Sequence, residues 1–203
     1  YMEVYMIKWV SHLFIFLGII LLLISCYSLY DQSQKQAITI KKAEQIINTA
    51  RDKETSVTTL EEEKVNLGAE FKADDGDVIG ILTIPKLNKS IGIVEGTDID
   101  SLKNGVGHVK NTVYPNQHEQ IVLSGHRDTV FQNFDQLHIG DIFIIEMSYG
   151  NYKYEIKSHE IVDWDDRSVI GKMGEEVLVV STCYPFIFVG PSPERFIFYA
   201  YPK

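Results

Sequence analysis

The stretch Val179-Val180-Ser181-Thr182-Cys183-Tyr184-Pro185 decides how this chain is read. A β-branched run favours a strand, and the proline after it forces a turn. Cys183 is therefore expected at the tip of a strand rather than deep in a core. A strand end is a rigid platform that still leaves a thiol open to a substrate. If a base and a cation converge there, the residue is a nucleophile. The competing reading is a small buried hydrophobe, the commoner fate of a free cysteine. Residues elsewhere in the chain must separate the two.

Working outward, short apolar runs alternate with turn signals from Asp74-Asp75-Gly76-Asp77 to the end of the sequence. This is the pattern of a β-sandwich or barrel. Strands are expected at 78–84, 91–94, 120–124, 142–147, 152–162, 176–182 and 195–201. Gly150-Asn151 is placed as a two-residue hairpin turn. Asp98 is placed as the cap of a short helix over 98–103, and 130–137 as another single turn. With no internal repeat, the region makes one mostly β domain, closed or nearly closed to hide its edges.

Composition narrows the class. The 203 residues are 45% hydrophobic, with 11 Tyr and 10 Phe to fill a core. The net charge of −9 leaves no basic stripe for a phosphate backbone, so no nucleic-acid partner is expected. The two cysteines, Cys26 and Cys183, lie far apart in the chain, so no disulfide between them is expected. Zinc motifs of the CxxC type are absent.

From Trp9 to Tyr30 the chain is apolar and almost uncharged. About 20 such residues span a bilayer. Trp9, Tyr27 and Tyr30 flank the run at interface positions, and Lys8 before it with Asp31 after it sets the N-terminus inside. A cleaved signal peptide is the rival reading, as is lipidation of Cys26 in Leu23-Ile24-Ser25-Cys26. In each case the remainder lies outside the cell, tethered to the membrane. The expected organisation is 1–30 as anchor, 31–74 as a partly helical stalk and 75–203 as the β domain. In the stalk, Ile40, Ala43, Ile47 and Ala50 keep the spacing of an amphipathic helix over 37–53; 54–73 is polar and weakly patterned.

A cysteine enzyme needs a partner, because an unperturbed thiol is only a few per cent thiolate at neutral pH. Five histidines lie outside the apolar segment: His108, His118, His126, His138 and His159. His126 has the best address, since it follows the apolar strand 121–124 and a glycine and so also sits at a strand end. Arg127-Asp128-Thr129 behind it can hold that loop by hydrogen bonds and an ion pair. Of four arginines, Arg195 opens an almost wholly apolar strand, and a guanidinium there needs a partner or a task. A Pro/Gly-rich loop joining adjacent antiparallel strands would bring Arg195 beside Cys183, as an oxyanion donor. A snorkelling surface arginine is the alternative.

Three motifs in this order, Leu123-Ser124-Gly125-His126-Arg127-Asp128-Thr129, Ser181-Thr182-Cys183 and Arg195 twelve residues on, resemble the sortase family of Gram-positive bacteria. Gly105-Val106-Gly107-His108 and Leu137-His138-Ile139-Gly140-Asp141 match the family as well. The resemblance implies an eight-stranded closed β-barrel, preceded here by the transmembrane helix and stalk. It also implies a transpeptidase that cleaves a Leu-Pro-x-Thr sorting signal after the Thr and joins the protein to an amine of lipid II or peptidoglycan. On the matching positions Cys183 is the nucleophile, His126 the general acid/base and Arg195 the oxyanion donor, with Thr182 contacting the sorting signal. The short loops and N-terminal anchor are most like class D, with class E and a housekeeping role as alternatives. Some sortases bind calcium near the position of Asp163, Asp165 and Asp166, but acids on an exposed loop are ordinarily solvated and no cofactor is expected. A cysteine hydrolase of the same motif, or a noncatalytic membrane-tethered β-module, are the competing readings.

Overall fold

Why does a chain of short strands, several of them apolar on both faces, hold together? The computed structural model, which describes residues 2–56, 68, 70–188 and 190–203, answers by closure. Among the described residues eight strands form one closed barrel: β1 (Val78–Ile84), β2 (Lys89–Glu95), β3 (Val106–His108), β4 (Gln120–Gly125), β5 (Ile142–Met147), β6 (Gly150–Asp163), β7 (Val177–Tyr184) and β8 (Glu194–Pro202). Their order around the barrel is β1-β2-β3-β4-β7-β8-β6-β5, and β5 closes onto β1. The β2–β3 and β4–β7 neighbours are parallel. Closure leaves no free edge.

Reading the residues gives seven of these strands, and β3 is the omission. Its Val106-Gly107-His108 carries a single β-branched residue, too little for a propensity signal. The glycine is there for close approach: a Cβ on Gly107 would lie 2.4 Å from the carbonyl oxygen of Gly96. The crossover from β2 to β3 contains α2 (Ile99–Asn104). Asp98 caps it as expected, accepting from the backbone N–H of Asp100 and Ser101 at 2.9 and 3.1 Å. The hairpin turn between β5 and β6 falls at Ser148-Tyr149, not at Gly150-Asn151, because Gly150 already pairs with Met147. Burial of Tyr149 decides this register: its hydroxyl donates to the Pro115 carbonyl at 3.1 Å.

Inward side chains fill the barrel at one end with aromatic rings. Phe131 and Phe134 stack at 4.1 Å, and Phe134 meets Phe143 and Phe198 at 6.4 and 6.0 Å. Phe131 and Phe134 come from the β4–β5 connection, so the chain leaving β4 is pinned to the core within a few residues. The outer faces of β4, β7 and β8 carry a second apolar cluster, Val122, Val177, Val179 and Ile197, partly covered by Val169 from the β6–β7 connection.

Before the barrel, α1 (Met2–Ser56) runs as one helix. Its side chains from Trp9 to Tyr30 are largely exposed although apolar. Further along, Thr39, Ala43 and Ile47 lie one turn apart on one face and are buried. Ala43 and Ile47 pack on Ile81 of β1. The sequence spacing at Ala43 and Ile47 thus has a physical cause in the barrel wall. Most of the weakly patterned 54–73 segment lies outside the described residues, but Phe71 rests edge-on against Tyr114 at 4.9 Å.

Candidate active site

Strand parity sorts the site. In β7, Leu178, Val180 and Thr182 point into the barrel, while Val179, Ser181 and Cys183 point outward. In β4, Val122 and Ser124 point outward, and His126 follows directly after the strand. The β7–β8 ladder sets Cys183 directly opposite Arg195, as the loop between them suggests from sequence. Arg195 Nη1 donates to Cys183 Sγ at 3.3 Å. The arginine therefore has a partner, and that partner is the thiol.

His126, Cys183 and Arg195 line one cleft of ≈ 600 Å³, walled by Trp164 on one side and by residues 190–193 of the β7–β8 loop on another. Among the described residues no hydrogen bond joins His126 to Cys183. Of the five histidines considered, only His126 lines this cleft. His108 is buried, with Nδ1 2.7 Å from the Glu95 carboxylate and Tyr114 stacked on its ring, which marks a structural role. His159 stacks on Phe196 at 5.0 Å, and His118 is exposed beside Glu176.

Thr182 is placed differently from the substrate contact that the resemblance implies. It is 2% exposed, and its Oγ1 donates to the Gly125 carbonyl at 2.9 Å. Its parity turns it into the barrel, where it ties the end of β7 to the end of β4. The residues that follow the two ends of this bond, Cys183 and His126, both line the cleft.

Next to the cleft lies a groove of ≈ 260 Å³ whose floor is the outer face of β4, β7 and β8, including Val122, Ser124, Val179, Ser181 and Ile197. The β6–β7 connection forms its far wall with Trp164, Val169 and Ile170, and Trp164 and Arg195 line both cavities. Trp164 is a site residue that the sequence reading passes over, although it is the one tryptophan outside the N-terminal segment. Asp165 and Asp166 line the groove, and Asp166 accepts from the Ser168 N–H at 2.8 Å. Among the described residues no cluster of three His, Cys, Asp or Glu side chains is placed to hold a metal ion.

A thiol and a guanidinium fixed by one ladder, an imidazole in the same cleft and an apolar groove beside it suit acyl transfer. Comparison with known proteins agrees. The family model "Sortase domain" matches residues 82–203. Sortase D of Bacillus subtilis (strain 168) is 44% identical over 174 residues, 85% of this chain and 87% of the relative. Among solved structures, a Clostridium perfringens Sortase D5 transpeptidase superposes with a TM-score of 0.62 at 27% identity, over 80% of this chain and 99% of that one. The catalytic domain of B. anthracis SrtD gives a TM-score of 0.56 at 40% identity, over 66% of this chain and 92% of that one. With more than half the sequence under one family model and a relative of that identity along most of its length, the chain belongs to the sortase family of cysteine transpeptidases and is most like its class D members.

Proposed function

We propose that this sortase is held at the outer face of the cell membrane by α1, cleaves a Leu-Pro-x-Thr-type sorting signal after the Thr, and transfers the new carboxyl end to an amine of lipid II or peptidoglycan. The observation that carries the reading is the Arg195–Cys183 contact at 3.3 Å at the head of an apolar groove. An extended peptide lying in the groove, with its Leu-Pro end toward Val169 and Ile170, brings a carbonyl to Cys183 at the far end.

The thiolate of Cys183 attacks the Thr carbonyl carbon, and the carbonyl π electrons move onto oxygen. That oxygen is two bonds from Sγ, so the guanidinium already against Sγ needs only a small shift to bond it. Protonated His126 gives its proton to the leaving amine nitrogen as the C–N bond breaks, leaving a thioester and neutral imidazole. The acceptor amine attacks the thioester and loses a proton to His126. The C–S bond then breaks and the thiolate returns. The reaction as written uses no metal, and chelation with EDTA is expected to leave its rate unchanged.

The exposed apolar side chains of α1 support the anchor, since the helix is long and apolar enough to cross a bilayer. Anchoring confines enzyme and a lipid-linked acceptor to one surface, which raises their effective concentration. The test is mass spectrometry of the full chain in detergent micelles, incubated with a Leu-Pro-x-Thr-Gly peptide and triglycine, beside Cys183→Ala. Cleavage after Thr with a triglycine adduct, lost in the variant, is the expected result. Free acid alone would point to a hydrolase, and an active Cys183→Ala would overturn the reading.

A further inference from the structure

We infer that Arg127 is a positioning residue that clamps the β7–β8 loop, residues 185–188 and 190–193, into the shape that walls the active-site cleft. Arg127 follows His126 directly, and its side chain is 5% exposed where that of His126 is open. Its guanidinium gathers acceptors from three points of the loop. Nη1 donates to the Pro185 carbonyl at 2.7 Å and also to Ser192 Oγ, and Nη2 donates to the Phe188 carbonyl at 2.8 Å. The Nε donates to Asp128 at 3.2 Å, and the Phe188 ring lies 5.8 Å from the guanidinium carbon.

The positions of these acceptors matter more than their number. Pro185 is two residues past Cys183, and Ser192 is three residues before Arg195. One rigid group attached beside His126 therefore ties together the chain segments that leave all three cleft-facing side chains. Beyond these bonds the loop is held at its start by Phe186, whose ring packs on Phe196 at 5.0 Å and against the core; its later residues have little else. Three of its residues are prolines without an N–H. Among the described residues, one other backbone bond joins 185–193 to the rest of the fold, Trp164 N–H to the Pro193 carbonyl at 3.0 Å. Held this way, the loop stands between the cleft and a second recess of ≈ 260 Å³ lined by Phe131, Gln132, Asp135, Phe186 and Ile187. A guanidinium suits the task because its planar fork serves several acceptors at once, whereas a lysine offers one point of charge.

The kinetic part of this inference rests on the transpeptidase reading, and the structural part stands without it. The experiment uses the full chain in micelles with Cys26→Ser as background, so that Cys183 is the one thiol. Arg127→Lys and Ser192→Ala are compared with that parent. Amide exchange of the non-proline residues in 186–192 is expected to speed up about tenfold in Arg127→Lys and less in Ser192→Ala. Iodoacetamide, too small to need the loop, is expected to alkylate Cys183 within about twofold of the parent rate, while kcat/KM for the sorting-signal peptide falls about tenfold to a hundredfold. Parent-like loop exchange in Arg127→Lys overturns the clamp, and so does faster exchange with unchanged kcat/KM. If Arg127→Lys fails to fold, Ser192→Ala decides, and unaltered exchange there overturns the inference. A parent without transfer activity would refute the function proposed above; the exchange rates would still decide whether Arg127 holds the loop.

Discussion

Replacing Thr182 by valine separates a barrel tie from a substrate contact. Valine keeps the shape and volume of threonine and removes only the hydroxyl, which donates to the Gly125 carbonyl at 2.9 Å from a residue 2% exposed. A neutral hydrogen bond is worth about 1 kcal/mol net, and leaving a buried carbonyl without its partner raises the cost to about 3 kcal/mol. For a domain of this size that range lowers Tm by about 4–12 °C. Because the bond joins the residues that precede His126 and Cys183, loosening it is expected to cost about tenfold in kcat by misplacing both. Thr182→Ser keeps the hydroxyl and loses one methyl group, about 0.8 kcal/mol, so its kcat stays near wild type. Thermal melts by circular dichroism and steady-state cleavage of a quenched fluorescent peptide read both quantities. If Thr182→Val melts within 1 °C of wild type and only KM rises, the hydroxyl serves the peptide and the parity argument fails.

Arg195→Lys keeps a positive charge but not the planar fork, and is expected to lower kcat about a hundredfold to a thousandfold with KM little changed; single-turnover acylation followed by mass spectrometry checks this. Gly125→Ala puts a Cβ 2.7 Å from the Phe131 ring and 2.8 Å from Val130 Cγ2. Overpacking of this kind costs about 1–3 kcal/mol, so a lowered Tm together with reduced turnover is expected from the displaced turn after His126. The Asp98 carboxyl is held below its ordinary value of 3.8 by hydrogen bonds from Ser101 and the α2 N–H groups. A depressed carboxylate contributes stability above its unfolded value and loses it as pH falls through the folded one. Asp98→Ala is therefore expected to melt below wild type at neutral pH, with the gap closing on acidification below that ordinary value; melts across a pH series would show it.

The barrel is legible where strands obey an alternating or β-branched pattern, and illegible where geometry replaces side chains. β1 and β5 can be read to the residue, because their runs end in Pro85 and in a turn. β3 cannot, since what makes it a strand is a glycine that lets two backbones meet. The placing of Cys183 opposite Arg195 follows from a proline-rich loop between two apolar runs, a local argument that holds. The inward turn of Thr182 was also within reach, because it shares parity with Leu178 and Val180. Arg127 is visible in the sequence as part of a polar cluster. Its partners lie some 60 residues further on, and no local pattern points to them.

These placements divide the site into a rigid part and a carried part. Cys183 and Arg195 are set by cross-strand pairing, so their backbones cannot separate without breaking a ladder that runs from Leu178 to Tyr184. His126 stands outside any strand and is exposed, held by the Phe131 N–H to its carbonyl at 3.0 Å and by aromatic rings buried behind it. In the proposed reaction the backbones that carry the thiol and the guanidinium thus keep their places through both acyl transfers. In the reaction proposed above the imidazole serves two different amines in turn, first the departing one and then the entering one. A base on a short connection, with its backbone anchored and its ring free, has the side-chain freedom to reach both. A base locked into the ladder would favour one amine and obstruct the other.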